Sequence, residues 1–512
     1  METSAPPHSA ARRAAPPVRL ILRADGNSRI GLGHVMRLLA LAGILRPVFA
    51  EQIFLIREPD PALAEQLRAA GLQLRELPSQ PLPEEAAWLV RQELRPTDVL
   101  VLDGYDFRYD YQNTVRGAVA RLVYLDDLHA FPLAADLILN PAGGLTLQQY
   151  ELRQPGGRLL SGPAFAPLRE AFRTSPSSMS GAALPDTVLV CLGGADPTHQ
   201  TQRITAELLA LPSVRLVHAV VGGAYLGWTG LSAWAEEQPR LQLHRNLSGP
   251  ELAALMRQCG AAVCSASTVS YEYAAAGGGL LFVLATVDNQ RDIDFYLRSA
   301  GLALPYTSAA NVLTSPEAER LTSRLRQQQQ RVFDGLAPAR LRQEFRALPL
   351  PAAPFHLRPV TAADSEQLLT WTNEPAVRQF SFNPTLVARP DHEQWLNARL
   401  QDPNALLLLA QDAATGRPAG LIRFAVTEGE QEATLSYLLD AGFRGRGLAP
   451  LLLLAGTRRL LAQFPAVRHV VGHVQPANVA SVHAFERAGF YRRPAPADDA
   501  SLTYVWCGVG AA

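Results

Sequence analysis

Gly31-Leu32-Gly33-His34 places a histidine directly behind two glycines, where an apolar run from Val18 to Leu22 gives way to a helical stripe of Val35, Leu38, Leu39, Ala42 and Leu45. Glycine lets the backbone approach a ligand closely or adopt a left-handed conformation. Free amides at a helix start favour anions, and their field disfavours imidazolium, so a histidine there tends to stay neutral. A neutral histidine beside a bound pyrophosphate is suited to act as a general base toward water. A capping or packed histidine is the alternative reading of the same residues.

Three further stretches carry groups of this kind. In CSASTVSYEYAAAGGG a strand ends at Cys264 and a helix begins near Ser267. Ser267 and Thr268 can cap that helix and leave amides for phosphate, and Glu272 can accept two ribose hydroxyls. Asp288-Asn289-Gln290 closes another strand with three groups suited to sugar hydroxyls. An ordinary capped helix start with an acid favoured by its dipole, and a polar turn, are the plain alternatives. Arg444-Gly445-Arg446-Gly447-Leu448-Ala449 follows the strand-like ATLSYLLD and opens an apolar helix, forming a pyrophosphate cradle of backbone amides and arginine. All 47 cations are arginine. Without lysine, Schiff-base chemistry and a Walker-type phosphate lysine are excluded.

The elements that must position these groups fall into three sets. VRLILRAD, EQIFLIRE, DVLVLDGYD, RLVYLDD and ADLILNP read as buried parallel strands ending in polar residues, alternating with helical patterns. The same rhythm restarts with TVLVCLGGADP, VRLVHAVVGG, AAVCSAS and LLFVLATVDNQ. After PLPAAPF comes a mixed α+β pattern with a hairpin in ALLLLAQDAATGRPAGLIRFAV. The expected organisation is a disordered tail over 1–17, a Rossmann-like domain over 18–173 and a linker over 174–185. A second Rossmann-like, nucleotide-binding domain follows over 186–347, then a linker over 348–355 and an α+β domain over 356–510.

A chain of 512 residues is too long for one ordinary core, in keeping with that division. Zero net charge implies no general attraction to nucleic acid or anionic membrane. No apolar run is long enough to span a bilayer, and METSAPPHSAARRAAPP lacks the apolar segment of a secretory signal. Cys191, Cys259, Cys264 and Cys507 have no zinc-like spacing and read as buried small hydrophobes of a reducing compartment, so a cytoplasmic protein is expected.

RADGNSRIGLGHVMR, YLDD, LGGADP, the Ser267-Thr268…Glu272 stretch and DNQ, in this order, resemble the UDP-sugar hydrolase of pseudaminic acid biosynthesis. The resemblance covers about residues 18–347. It implies the two-domain glycosyltransferase-B fold, shared with the lipid II-forming GlcNAc transferase. It also implies hydrolysis of UDP-2,4-diacetamido-2,4,6-trideoxy-β-L-altropyranose to UDP and the free sugar, without metal. In that reading His34 is catalytic, with Gly31 and Gly33 admitting the substrate. Asp25, Asp103, Tyr105, Asn289 and Gln290 hold the sugar, Ser267, Thr268 and Glu272 hold UDP, and the 245–256 backbone meets the uracil. A glycosyltransferase using a separate acceptor, or a non-catalytic nucleotide-sugar-binding protein, would share these features.

The 444–449 loop, Asn478-Val-Ala-Ser481 and Ala484-Phe485-Glu-Arg-Ala-Gly-Phe490-Tyr491 resemble the GNAT acetyltransferase superfamily over about residues 356–508. That resemblance implies acetyl-CoA as cosubstrate, held by Arg444, Gly445, Arg446, Gly447 and Ala449 at the pyrophosphate, Leu438 at the pantetheine arm, and Asn478. Phe485 stands where many members carry the tyrosine that protonates the leaving thiolate. Tyr491 is the candidate substitute, and His473 and Glu432 are candidate bases. A fused acetyltransferase and hydrolase would carry out successive steps, N-acetylation of a 4-amino UDP-sugar and then release of UDP.

Overall fold

The computed structural model describes residues 18–26, 32–173, 184–194, 196, 198–427, 429, 431–494 and 501–509. Gly31, the 1–17 tail and most of the 174–185 linker lie outside the described residues.

The first sheet has the strands β1 Leu20–Arg23, β2 Gln52–Arg57, β3 Gln73–Leu77, β4 Val99–Asp103, β5 Arg121–Leu125, β6 Leu137–Asn140 and β7 Arg158–Ser161. Their order is β3-β2-β1-β4-β5-β6-β7, and β1 pairs in parallel with both β2 and β4. Strands buried on both faces read as unbroken apolar runs, and β4 (VLVLD) is buried throughout. The chain leaves β1 toward β2 on one side and returns through β4 on the other. That reversal opens a crevice at the strand C-termini, between β1 and β4, where open α/β sheets bind ligands.

A second parallel sheet repeats the plan with β8 Thr187–Cys191, β9 Leu216–Val221, β10 Leu241–Arg245, β11 Ala261–Ser265, β12 Leu280–Leu284 and β13 Leu304–Pro305. Its order β10-β9-β8-β11-β12-β13 reverses between β8 and β11. The four cysteines are buried and unbridged, and burial pushes the thiols of Cys191, Cys259, Cys264 and Cys507 up.

The third sheet is mixed: β14 Phe355–Pro359, β15 Ala405–Asp412, β16 Pro418–Val426, β17 Glu432–Leu439, β18 His469–Val474, β19 Tyr491–Arg493 and β20 Leu502–Cys507. The order is β14-β15-β16-β17-β18-β20-β19. The expected hairpin is β15–β16, closed by a turn in which Asp412 accepts from the amide and hydroxyl of Thr415. β17 and β18 are parallel and pair only from Glu432↔His469 to Leu435↔Gly472. Beyond those pairs β17 runs on to Leu439 and β18 to Val474, so the two strands part.

The chain divides into two compact bodies. One comprises residues up to Ala42, Phe49–Ile138 and Leu147–Leu159; the other comprises Gly43–Val48, Leu139–Thr146 and everything from Leu160. Within the second body, the helix Ala337–Ala347 packs on both sides of the expected boundary, lying against the Pro163–Phe165 turn as well as the third sheet. The sequence pattern assigns it to the second nucleotide-binding domain, yet Ala347 and Leu350 join the core of the third sheet. Arg340 Nε donates to the carbonyl of Gly508, and Gln343 exchanges two hydrogen bonds with Cys507. The expected 348–355 linker is therefore partly core.

Candidate functional site

His34 is the second residue of the helix Gly33–Leu45, and Asp103 is the last residue of β4. Both stand at the C-terminal edge of adjacent strands, at the reversal point of the first sheet. Asp103 is fully buried, and its Oδ1 lies 2.6 Å from His34 Nδ1. One helical turn beyond His34, Arg37 sends Nε (3.0 Å) and Nη2 (2.7 Å) to the two Asp103 oxygens and Nη1 (2.7 Å) to Asp127. Tyr105 meets the His34 ring edge-on at 4.8 Å and donates to Asp127. Burial would raise the Asp103 carboxyl, but Arg37 and His34 outweigh it and hold Asp103 below its ordinary value. When the imidazole is neutral, an ionised acceptor at 2.6 Å favours the tautomer with its proton on Nδ1 and Nε2 unprotonated. The His34 side chain is 24% exposed against 0% for Asp103, so solvent and small ligands reach the ring and not the acid.

Asp103 is thus committed to His34 and Arg37, and does not stand open for sugar hydroxyls. Asp25 is likewise committed. Its oxygens accept from Arg23 and from the amide and guanidinium of Arg57, in a network that includes the buried Glu85 and Tyr111. Among the described residues, a side chain at Gly33 would meet nothing within 4 Å.

At the reversal point of the second sheet, Gly193 takes a left-handed φ of 88°, and a Cβ on Gly222 would fall 2.6 Å from the Gly194 carbonyl oxygen. The ends of β8 and β9 therefore touch backbone to backbone, which only glycine permits. Ser267 occupies the cap position of the helix Thr268–Ala275, but its hydroxyl makes no cap hydrogen bond and lies 3.0 Å from the Ser265 hydroxyl. Glu272 is buried and forms a two-pronged pair with Arg169 at 2.6 and 2.7 Å. Burial pushes its carboxyl up, and Arg169 offsets that only in part. Its expected ribose contacts would have to be made beside that arginine. Asp288, Asn289 and Gln290 form a turn in which Gln290 Oε1 accepts from Thr286. In the 245–256 segment Ser248 and Glu251 form a capping box at the helix Gly249–Gln258.

In the third sheet the 444–449 loop follows the parted end of β17. Gly445 and Gly447 are left-handed at φ of 72° and 73°, and among the described residues a Cβ on Gly445 would meet nothing within 4 Å. The backbone is exposed there, at the start of the helix Ala449–Gln463, as an anion cradle requires. Arg444, expected on the pyrophosphate, is instead a brace: it donates to the Leu439 carbonyl and pairs through both terminal nitrogens with Glu374. Arg446 lies over the Phe443 ring, and Arg487 Nη1 comes within 3.9 Å of the position of a Gly447 Cβ. Arg487 lies some 40 residues from the loop, a separation that hides the pairing in the sequence. Asn478 caps the helix Val479–Ala488 by accepting from the Ser481 amide. Leu438 lies in the parted stretch of β17 and packs beside Trp371 and Leu396.

The opening between β17 and β18 has two faces. Ile422, opposite Tyr437, packs on Gly456 of the helix Ala449–Gln463, and Phe485 packs on Gly472. Tyr437 is on this helix-covered face, with its hydroxyl 3.0 Å from that of Ser481. Ser436 and His473, each one residue past the last pair, point to the other face. Of the three candidates for proton transfer, only His473 sits at the opening. Glu432 is in the first pair, about 13 Å back along the strand from Ser436, and approaches Arg493 at 3.8 Å. Tyr491 lies on the edge strand β19 against Cys507, and burial pushes its hydroxyl up. Tyr437 carried no signal in the sequence, since an aromatic residue in a strand reads as core.

Among known proteins, residues 355–491 match the model of the acetyltransferase (GNAT) domain. An uncharacterized protein of Methanocaldococcus jannaschii is 22% identical over 211 residues, covering 40% of this chain and 43% of its own length, so the chain spans under half of that curated relative. A spermidine N-acetyltransferase from Vibrio cholerae, solved with CoA and spermine, aligns at 18% identity and a TM-score of 0.27, over 30% of this chain and 93% of its own. A GNAT-family acetyltransferase from Bacillus anthracis aligns at 14% identity and a TM-score of 0.27, over 31% and 97%. By the family match over residues 355–491 and the sheet topology, the chain joins parallel α/β sheets to a C-terminal domain of the GNAT acetyltransferase type.

Proposed function

We propose that the C-terminal domain is an acetyl-CoA-dependent N-acetyltransferase. The observation that carries this is the parted β17–β18 pair, with a left-handed glycine loop and helix start on one face and His473 on the other. Gly445, Gly447 and Ala449 would offer backbone to the pyrophosphate, with Arg446 and Arg487 as nearby cations. Acetyl-CoA supplies an activated acyl group. In transfer, the amine nitrogen bonds to the acetyl carbon, the carbon–sulfur bond breaks, and the amine proton leaves. His473 takes that proton on the acceptor face. The Tyr437–Ser481 hydroxyl pair returns one to the thiolate on the helix-covered face, in the role the Phe485 position cannot fill. Binding of CoA to the purified protein, and thiol release on adding amines, tests this. A folded protein that binds no CoA would refute it.

A second activity is favoured by the His34–Asp103 pair. We infer hydrolysis of a UDP-sugar in a glycosyltransferase-B arrangement, with His34 Nε2 taking a proton from water as oxygen bonds to the anomeric carbon and UDP departs. The substrate read from the resemblance is UDP-2,4-diacetamido-2,4,6-trideoxy-β-L-altropyranose, and the acetyltransferase would then act on its 4-amino precursor. UDP release from that sugar without acceptor or metal, lost in His34→Ala, is the expected result. Its absence in a wild type that binds UDP would refute the assignment.

A further inference from the structure

Arg37 joins two carboxylates from different strands, Asp103 at the end of β4 and Asp127 just beyond β5. Its side chain is 13% exposed, against 0% and 8% for the two acids. The same Nη2 that reaches Asp103 Oδ1 at 2.7 Å lies 3.0 Å from His34 Nδ1. Asp103 and Arg37 therefore act on one ring nitrogen with opposite sign. The ionised acid draws a proton onto the imidazole, and the guanidinium opposes a second positive charge at that distance. Tyr105 meets the ring edge-on and donates to Asp127. Asp126, next to Asp127, and Tyr124, on β5, belong to the same group. Burial pushes both up, toward their uncharged forms. The balance at the ring is thus two carboxylates against one guanidinium.

We propose that Arg37 is a positioning residue of the hydrolytic site: it lets an ionised Asp103 orient the His34 ring without charging it, so that Nε2 remains able to take a proton from water. This rests on the hydrolase reading above and gives a role to a residue which that reading leaves out. Without the cation, Asp103 and Asp127 have only the imidazole to balance them. The ring then holds a proton to higher pH and is lost as a base near neutrality. A lysine at position 37 supplies the charge but not the planar fork that spans both acids, so it restores the balance only in part.

The test uses the full chain with nitrogen-15 in its histidine rings, read by NMR, beside the pH profile of UDP release from the UDP-sugar named above. His34→Gln identifies the His34 signals among the 11 histidines. In wild type at pH 7 the ring should be neutral with its proton on Nδ1. In Arg37→Gln, with folding checked by circular dichroism, the ring should stay protonated to a pH higher by about one unit or more. The acid limb of UDP release should move up with it, so that the rate falls about tenfold or more at pH 7 and recovers at alkaline pH. Arg37→Lys should lie between the two. An imidazolium in wild type at pH 7, or a ring titration left in place by Arg37→Gln, would overturn the proposal. A loss of rate equal at every pH would do the same, since it would reduce Arg37 to a brace. If Arg37→Gln does not fold, wild type and Arg37→Lys carry the test. If wild type releases no UDP, the hydrolase reading falls, and the ring titration still decides for or against Arg37.

Discussion

His34 Nδ1 and Asp103 Oδ1 stand 2.6 Å apart, the acid sealed inside the sheet and the imidazole partly open to solvent. The acid therefore fixes which ring nitrogen faces outward without touching a ligand itself. Asp103→Asn keeps the shape but removes the charge that orients the ring. UDP release should fall about a hundredfold or more while UDP affinity holds. A rate within a factor of a few of wild type would mean that the tautomer does not matter.

His218 and His244, on adjacent strands β9 and β10, approach within 3.1 Å. Burial, then His244 and Arg215, push His218 down to about 4, against an ordinary value near 6.5. A base depressed in the folded state is neutral there, while the unfolded chain takes up a proton below about pH 6.5. Stability is thus intact above that pH and declines as pH falls toward about 4, by roughly 1–2 kcal/mol after allowance for solvent screening. His218→Gln should flatten the urea midpoint between pH 7 and pH 4.5. An equally steep decline in the variant would assign the effect elsewhere.

Much of this layout can be read directly from the chain, because buried parallel strands are continuous apolar runs and their last residues are polar. Asp103 and the Ser265–Ser267 corner stand out for that reason. What the chain conceals is pairing at a distance. Asp25 looks free until Arg57 is set beside it, and Arg444 looks like a phosphate ligand until Glu374, 70 residues earlier, is found holding it. Arg37 is different: its i+3 spacing from His34 places both on one helix face and could have marked it.

Tyr437 and Ser481 share a hydrogen bond on the helix-covered face of the opening, and burial raises the Tyr437 hydroxyl. The hydroxyl therefore keeps its proton at neutral pH and would donate it to the sulfur as the carbon–sulfur bond breaks. Tyr437→Phe should lower kcat for acetyl transfer by about a hundredfold, with CoA affinity unchanged. Ser481→Ala should have a smaller effect, since the tyrosine remains. Weakened CoA binding with an intact kcat in Tyr437→Phe would make the pair a ligand contact and not the acid.

The acetyltransferase domain should need more chain than its family match covers. Arg340 reaches the Gly508 carbonyl while both its terminal nitrogens are held by Asp334, and Gln343 answers both the amide and the carbonyl of Cys507. Gly489, left-handed at φ of 98°, passes so close to the Gln343 backbone that a Cβ would fall 2.7 Å from its carbonyl oxygen. A fragment beginning at residue 355 would lose these partners and uncover the apolar surface under Ala347 and Leu350. One beginning at residue 334 would keep them. Each buried backbone group left unpaired costs about 1–3 kcal/mol, so the shorter fragment should be less stable by roughly 3–5 kcal/mol. Thermal unfolding of the two compares them directly. Equal midpoints would mean that the helix Ala337–Ala347 only rests on the domain, whereas a markedly lower midpoint for the shorter fragment would make the helix part of its core.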